Sequence, residues 1–188
     1  EGEVNEVYEV TTKDRQKMIV RISRSKQPRF EAEEKAIRLA SMVGVPTPKV
    51  ILIEKISVKK ESLTLCVEKK IEGQSLSELM QNIDQASLKS IIAEAAFFLS
   101  KIHSIEVDRF GGFYREKSYS SWPEYILRPE RNLERITQAA KTMEIEKSLL
   151  NKAIKILKEH LILYQSVKAR LLHGDFSPKH LLVRDNHI

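Results

Sequence analysis

The chain has 188 residues, a formal net charge of +6, a sequence pI near 9.3 and one cysteine. This length is enough for one or two small domains with hydrophobic cores, and the single cysteine, Cys66, excludes an internal disulfide. No run of about 18 apolar residues occurs and the first residues do not resemble a signal peptide, so the sequence predicts a cytoplasmic protein without a membrane span.

The basic charge is spread along the chain. Lys and Arg number 32 against 26 Asp and Glu, and no basic stretch is interleaved with aromatic residues. This pattern is typical of a solvated surface, with a phosphate-attracting cleft as the alternative, and it predicts neither a nucleic-acid partner nor a membrane partner. The sequence does not indicate an oligomeric state.

The N-terminal residues predict an antiparallel hairpin. Two β-rich runs, 7–12 and 18–22, flank a polar turn at 13–16. Arg21 is the only cation of the second run; it is either an ordinary outward-facing residue or a phosphate-binding cation. Gly2 precedes the first run and is compatible with a simple turn or with a loop whose N–H groups face phosphates.

A helix and two more strands come next. Apolar residues at helical spacing predict a helix over 29–43, which Gly44 and Pro46 end. The following patterns predict strands over 50–54 and 62–68, the second of them buried. The cysteine in this second strand is interpreted as a small buried apolar residue.

From residue 74 the apolar spacing becomes helical. The spacing predicts three helices, over 87–103, 132–140 and 144–165. We therefore predict an N-terminal lobe at 1–73, with a hinge at 68–73, and a helical lobe at 74–188 that carries the segment described next.

A short polar segment near the end of the chain lies between two apolar anchors. It reads His173-Gly174-Asp175-Phe176-Ser177-Pro178-Lys179-His180, between Leu171-Leu172 and Leu181-Leu182-Val183. In phosphoryl transfer, such an Asp accepts the proton of the attacking hydroxyl, and the residue five positions later binds a metal ion. The pattern predicts these roles for Asp175 and His180. No Gly-x-Ser-x-Gly motif accompanies it, which disfavours a Ser-His-Asp hydrolase.

This segment and the order of the preceding elements closely resemble the aminoglycoside phosphotransferase family, which consists of small-molecule kinases. The resemblance covers nearly the whole chain and departs from most members at His180, where they carry Asn. It implies an α+β, protein-kinase-like two-lobed fold, with an antiparallel sheet in the N-terminal lobe and a mainly helical C-terminal lobe, incomplete here.

The resemblance also implies where a nucleotide binds. It assigns six positions to nucleotide binding: Gly2, Asn5, Arg21, Glu34, Lys69 and Ile71. The first two belong to a loop over the phosphates, the next two form an ion pair, and the last two bind the adenine through their main chain. Glu31 is the alternative partner of Arg21.

The implied activity is transfer of the γ-phosphate of ATP or GTP to a hydroxyl of a small molecule. An aminoglycoside- or macrolide-like antibiotic, with antibiotic resistance as the role, and a metabolite are both compatible. Mg²⁺ is the expected ion, with Mn²⁺ as the alternative, because imidazole suits Mn²⁺ better; His180 either loosens the preference between these ions or hydrogen-bonds a phosphate directly.

The alternative is an inactive nucleotide-binding or scaffolding module with the same fold. Two features favour it: the His180 substitution, and the absence of the metal-binding aspartate that the family carries in a later Ile-Asp-Phe/Trp-Gly phrase. Asp185 is interpreted as a turn residue instead. We therefore expect the chain to be a fragment of a longer kinase and a poor catalyst alone.

Overall fold

The computed structural model describes most of the chain, namely residues 5–59, 61–112, 118–126 and 131–188, without the side chains of 131–135. Two compact units are formed, one by residues 1–105 with 171–188 and the other by residues 106–170. In the described ranges, every helix is too short or too polar to cross a membrane. The division into lobes at residue 73 stays a prediction.

The first unit begins with a four-stranded antiparallel sheet. Its strands are β1 (Glu6–Thr11), β2 (Lys17–Ser23), β3 (Val50–Val58) and β4 (Glu61–Lys69), in the spatial order β1-β2-β4-β3. The predicted hairpin of β1 and β2 is confirmed. Its strands are rich in β-branched residues, and the turn between them closes where the Thr12 N–H donates to the Gln16 carbonyl.

Strand β4 lies inside the sheet, paired with β2 and β3. It buries four side chains: Leu63, Thr64, Cys66 and Glu68. Cys66 is fully enclosed, which confirms its interpretation as a small buried residue. Glu68 is different, because a carboxylate buried in a sheet needs a partner for its charge.

Helix α1 (Phe30–Met42) follows the hairpin, close to the predicted range. Phe30 and Ala40 are its buried side chains. The helix ends before Gly44, whose φ of 75° lies in the left-handed region that glycine adopts without steric cost. The predicted helix and its end are therefore confirmed.

The remaining elements of the first unit are mostly helical. They are β5 (Gln74–Ser75), α2 (Leu76–Leu79), α3 (Gln85–Ser104) and β6 (Leu182–Val183), and a short 3₁₀ helix at Pro178–His180 precedes β6. Helix α3 begins at Asp84, whose Oδ1 accepts hydrogen bonds from the N–H groups of Ala86 and Ser87, both at 2.9 Å.

A small apolar core joins these elements. Leu76, Ile91 and Val183 form its buried centre, so α2, α3 and β6 contribute one residue each. In addition, β5 and β6 pair antiparallel, and the Leu76 N–H donates to the Leu181 carbonyl at 2.8 Å. The strand that follows the polar segment is thus fixed by both backbone hydrogen bonds and apolar packing.

The second unit contains three helices in its described part. They are α4 (Trp122–Ile126), α5 (Arg131–Thr142) and α6 (Lys147–His160), the last followed by a 3₁₀ turn at Leu161–Tyr164. Residues at the two ends of this unit pair with each other, since Glu106 lies 3.1 Å from Lys168 and 3.0 Å from Arg170. The predicted helices near 132–140 and 144–165 are confirmed.

Candidate functional site

Arg21 on β2 lies at the centre of a group of charged side chains. Its Nη2 donates to Glu33 Oε2 and to Glu68 Oε1, each at 2.7 Å. The guanidinium carbon also lies 4.9 Å from the centre of the Phe30 ring. Arg21 is therefore held by two carboxylates and an aromatic face, and its side chain is only 21% exposed.

The predicted pairing of Arg21 with Glu34 is wrong, because the helix residue that binds Arg21 is Glu33. Glu33 comes three residues after Phe30 and seven before Ala40, and these two side chains are the buried ones of α1. At 3.6 residues per turn, these spacings place Glu33 on the buried face, whereas Glu34 is turned about 100° away. The alternative partner, Glu31, is exposed.

Glu68 is a site residue that the sequence interpretation missed. Arg21 is directly opposite Cys66 in the β2–β4 register, and Glu68 follows Cys66 by two positions, on the same face of the strand. The signal in the sequence was the period of two along β4, in which Glu68 continues the alternation of Cys66. The neighbouring run 18–22 has one cation, Arg21.

The charges of this group perturb two titratable side chains. Burial opposes the charge on Arg21, but the carboxylates of Glu68 and Glu33 outweigh it and raise the pKa of Arg21 above its ordinary value. Burial, reinforced by the nearby Glu68 carboxylate, raises the pKa of the Cys66 thiol to about 11. Arg21 is thus a fixed cation, and Cys66 stays a neutral thiol at physiological pH.

The predicted hinge, residues 68–73, begins with the last two residues of β4 and continues beyond it. The Lys69 N–H donates to the Lys49 carbonyl at 2.9 Å, so this N–H is not available to a base. Within the described part of the chain, no hydrogen bond from the Ile71 N–H is found, and Ile71 is exposed. A carbonyl acceptor and an N–H donor two residues apart could bind the edge of an adenine, but this role of Lys69 and Ile71 stays a prediction.

The predicted phosphate loop is only partly described. Gly2 lies outside the described residues. Asn5 lies immediately before β1 and is partly exposed. Its assignment to phosphate binding stays a prediction.

The polar segment that contains Asp175 is held at both ends. Leu171 and Val183, which flank it, are buried, and the Leu171 N–H donates to the Ile105 carbonyl. Gly174 has a φ of 83°, a left-handed conformation that other residues adopt only with strain, and this turn precedes Asp175. The Asp175 side chain is 67% exposed. A rigidly anchored loop therefore presents a carboxylate to solvent.

His180 is oriented by the main chain of the same loop. Its Nδ1 lies 2.8 Å from the Asp175 carbonyl oxygen and 3.5 Å from Asp175 Oδ2. A carbonyl oxygen can only accept, so Nδ1 must carry the hydrogen, and in the neutral ring the lone pair is on Nε2. His180 thus has the orientation of a metal ligand whose second nitrogen is fixed by a hydrogen bond.

A divalent cation fits this loop only with ligands from outside the described residues. Within those residues, no group of three or more His, Cys, Asp or Glu side chains is placed to hold a metal ion. Magnesium in phosphoryl transfer takes one or two protein ligands together with phosphate oxygens and water. Nε2 of His180 therefore suits a cation carried by a nucleotide, and a metal role for His180 stays a prediction.

His173 is exposed and contacts one ring of the same loop. Its ring contacts that of Phe176 edge to face, with centroids 5.2 Å apart. Burial lowers the pKa of His173 below its ordinary value, and nearby His180 lowers it further. The edge-to-face contact with Phe176 is thus the contact that holds the exposed His173 ring against the loop.

The structure thus brings the predicted site residues into two groups within the first unit. Arg21, Glu33 and Glu68 form one, and Asp175 with His180 forms the other. Among the described residues, no hydrogen bond or ion pair joins the two groups.

Comparisons with known proteins bear on the family and the fold. A profile of the phosphotransferase enzyme family matches residues 1–188. Among curated protein sequences, none matches the chain significantly.

Several solved structures are similar to the chain. A thermostable mutant of aminoglycoside phosphotransferase APH(4)-Ia, in a ternary complex with AMP-PNP and hygromycin B, is 17% identical with a TM-score of 0.65; the match covers 100% of this chain and 61% of that one. The apo form of a thermostable mutant of the same phosphotransferase is 15% identical with a TM-score of 0.62; the match covers 100% of this chain and 62% of that one. A variant in a ternary complex with ADP and hygromycin B is 17% identical with a TM-score of 0.64; the match covers 100% of this chain and 61% of that one.

These similarities confirm the predicted fold class, an α+β, protein-kinase-like fold. The chain spans about three fifths of the length of these solved structures.

Proposed function

The chain belongs to the phosphotransferase enzyme family, and from that premise we propose that the protein transfers the γ-phosphate of ATP or GTP to a hydroxyl group of a small molecule. The observation that carries the proposal is the Asp175 loop, in which an exposed carboxylate is held between buried anchors. Phosphoryl transfer requires mainly positioning and charge stabilisation from the protein, and a rigid loop provides positioning.

In the proposed reaction, Asp175 acts as the general base. The acceptor hydroxyl gives its proton to the Asp175 carboxylate while its oxygen forms a bond to the γ-phosphorus. The bond between that phosphorus and the β–γ bridging oxygen breaks, and the nucleoside diphosphate leaves with the bonding electrons. The hydrogen bond from His180 to the Asp175 carbonyl restrains the loop during this step.

Arg21 is the proposed cation for the nucleotide phosphates. Glu33 and Glu68 fix its Nη2, and burial against Phe30 limits its motion. A guanidinium has five N–H donors in a planar fork, so two carboxylates do not exhaust its capacity to bind a phosphate. The Lys69 carbonyl and the Ile71 N–H are the proposed contacts of the base.

A divalent cation is expected to accompany the nucleotide, and Nε2 of His180 is the nitrogen that would bind it. When bound, such a cation neutralises charge on the phosphate oxygens. Mg²⁺ and Mn²⁺ are both compatible, and an imidazole ligand favours Mn²⁺ more than an amide oxygen would.

The proposed acceptor is a small molecule with several hydroxyl groups, either an aminoglycoside- or macrolide-like antibiotic or a metabolite. One similar structure contains hygromycin B and the ATP analogue AMP-PNP. This supports a nucleotide and a hydroxylated small molecule as ligands of the present protein, without selecting one acceptor.

The proposal can be tested by thermal unfolding of the complete protein with ATP or GTP, each with Mg²⁺ or Mn²⁺. A ligand at 100 times its Kd stabilises the folded state by about 2.7 kcal/mol, which corresponds to a rise in Tm of roughly 5 to 10 °C for a protein of this size. The rise should require both nucleotide and metal, and EDTA should abolish it.

A positive result leads to an acceptor screen, in which mass spectrometry detects the addition of one phosphoryl group to the acceptor. A folded protein whose Tm responds to neither nucleotide contradicts the proposal. A protein that binds nucleotide but phosphorylates none of a broad panel of hydroxylated compounds favours the inactive scaffolding module.

A further inference from the structure

Resting on the function proposed above, we infer that Glu68 is a second positioning residue of the phosphate site, and that its contact with Arg21 makes position 21 specific for arginine. The Nη2 nitrogen of Arg21 carries two hydrogens. It donates to Glu33 and to Glu68, each at 2.7 Å. Both hydrogens are therefore used.

The remaining donors of Arg21 are on the other atoms of the guanidinium. Nε is buried and has no hydrogen-bond partner within the described part of the chain. No hydrogen bond from Nη1 is found within the same residues, and one contact of the head group is the Phe30 ring. Because the carboxylates fix Nη2, the phosphate must bind at Nη1, about 2.3 Å away across the planar fork.

The exposure of the two carboxylates shows that their roles differ. The Glu33 side chain is 38% exposed, whereas that of Glu68 is 12% exposed. Glu68 is also the second-to-last residue of β4 and the first residue of the predicted hinge. It therefore ties the cation to the strand that leads to the predicted base-binding main chain, while Glu33 ties it to α1.

A lysine cannot reproduce this arrangement. Its ammonium is a single nitrogen, so two carboxylates and a phosphate oxygen would all have to gather around one atom and repel each other. Arg21 separates these anions, because the carboxylates bind Nη2 and the phosphate binds a different nitrogen. With Glu68 replaced by an uncharged residue, a lysine would have one carboxylate and one phosphate to satisfy, which a single ammonium can do.

The experiment is a double-mutant cycle on nucleotide affinity in the complete protein. Four proteins are compared: wild type, Arg21→Lys, Glu68→Gln and the double variant. Glutamine keeps the size of the side chain and an oxygen acceptor for Arg21, and removes only the charge. We expect Arg21→Lys to raise the nucleotide Kd about tenfold or more when Glu68 is present, and less than about threefold in the Glu68→Gln background.

A matched control is available on the surface of the same sheet. Arg24 also binds two carboxylates, Glu6 through Nε at 2.8 Å and Glu61 through Nη1 at 2.6 Å, but its side chain is 58% exposed. Arg24→Lys, with and without Glu61→Gln, should leave the nucleotide Kd unchanged in both backgrounds.

The outcomes separate this inference from the proposed function. Wild type that does not bind nucleotide overturns the proposed function, and the inference with it. If the wild type binds nucleotide and Arg21→Lys raises the nucleotide Kd by the same factor in the two backgrounds, the inference alone is overturned. If Glu68→Gln does not fold, Glu33→Gln replaces it, because removing either carboxylate relieves the crowding around the lysine ammonium. An equal rise in nucleotide Kd with and without Glu33→Gln also overturns the inference.

Discussion

Gly73 provides a quantitative test of how closely the segment after β4 packs on the strand that follows the Asp175 loop. Its φ is 154°, and a Cβ at this position would lie 3.0 Å from the Val183 carbonyl oxygen and 3.3 Å from its carbon. Both are backbone atoms of Val183, a buried residue of β6, which is paired with β5. Neither the backbone of β5 nor that of β6 can move away without breaking this pairing.

Gly73→Ala should therefore destabilise the protein by about 2 to 6 kcal/mol. Backbone strain at an unfavourable φ contributes about 1 to 3 kcal/mol, and the overpacking against Val183 contributes about 1 to 3 kcal/mol more. This is a large fraction of the roughly 5 to 15 kcal/mol by which proteins are stable. The measurement is the free energy of unfolding from urea denaturation followed by circular dichroism.

Gly44→Ala is the matched control. Gly44 has a φ of 75°, and its added Cβ would approach only the flexible end of Lys101, at 3.4 Å from Nζ. Gly44→Ala should therefore lower the free energy of unfolding only by the backbone strain of a left-handed φ, about 1 to 2 kcal/mol. If Gly73→Ala costs no more than Gly44→Ala, the close approach between the segment after β4 and β6 is not present.

Three further perturbations have definite expected results. Asp84→Ala should lower the free energy of unfolding by about 1 kcal/mol, because two N–H groups at the start of α3 lose their acceptor; no loss would contradict the cap. The Cys66 pKa of about 11, against an ordinary 9.0, means that the folded state holds this proton more tightly, so stability is lost as pH rises from 9 to 11, by about 2 to 3 kcal/mol. Cys66→Ala should remove that part of the pH slope, and an unchanged slope would contradict it. His180→Asn should raise nucleotide affinity with Mg²⁺ relative to Mn²⁺, because an amide oxygen suits Mg²⁺ better than imidazole does; an unchanged ratio would mean that His180 does not bind the ion.

The elements of this chain were predictable where the signal is local. The hairpin, α1 and the buried strand β4 follow from alternation and helical spacing over short windows, and Gly44 marks the end of α1. The position of the Asp175 loop followed from its apolar anchors and its resemblance to a known family. The alternation, the helical spacing and the apolar anchors are each contained in a short stretch of consecutive residues.

The partner of Arg21 was harder to predict, because it depends on the rotation of a helix. Three glutamates lie in the first turns of α1, and only the burial of Phe30 and Ala40 selects Glu33 among them. Glu68 required the register between β2 and β4, which is a contact between residues 47 positions apart. The orientation of the His180 ring depends on the short 3₁₀ turn before β6, and spacing in the sequence does not encode it.

The interpretation of Asp185 as a turn residue is confirmed. Asp185 and Asn186 have φ values of 53° and 64°, and Arg184 and His187 exchange two backbone hydrogen bonds across them. This is the geometry of a two-residue hairpin turn, in which Asp and Asn are favoured. Asp185 is therefore a suitable control for Asp175, for which the proposed role is that of general base.

The most direct test of the account compares phosphoryl transfer by Asp175→Asn and Asp185→Asn in the complete protein, with an acceptor found in the screen. Both changes remove one carboxylate and keep the side-chain size, and the Asp185 side chain is 91% exposed. The account predicts that Asp175→Asn lowers kcat by about a hundredfold to ten-thousandfold while nucleotide still raises the Tm, and that Asp185→Asn leaves kcat within about twofold of wild type. Equal kcat values for the two variants would contradict the assignment of Asp175 as the base.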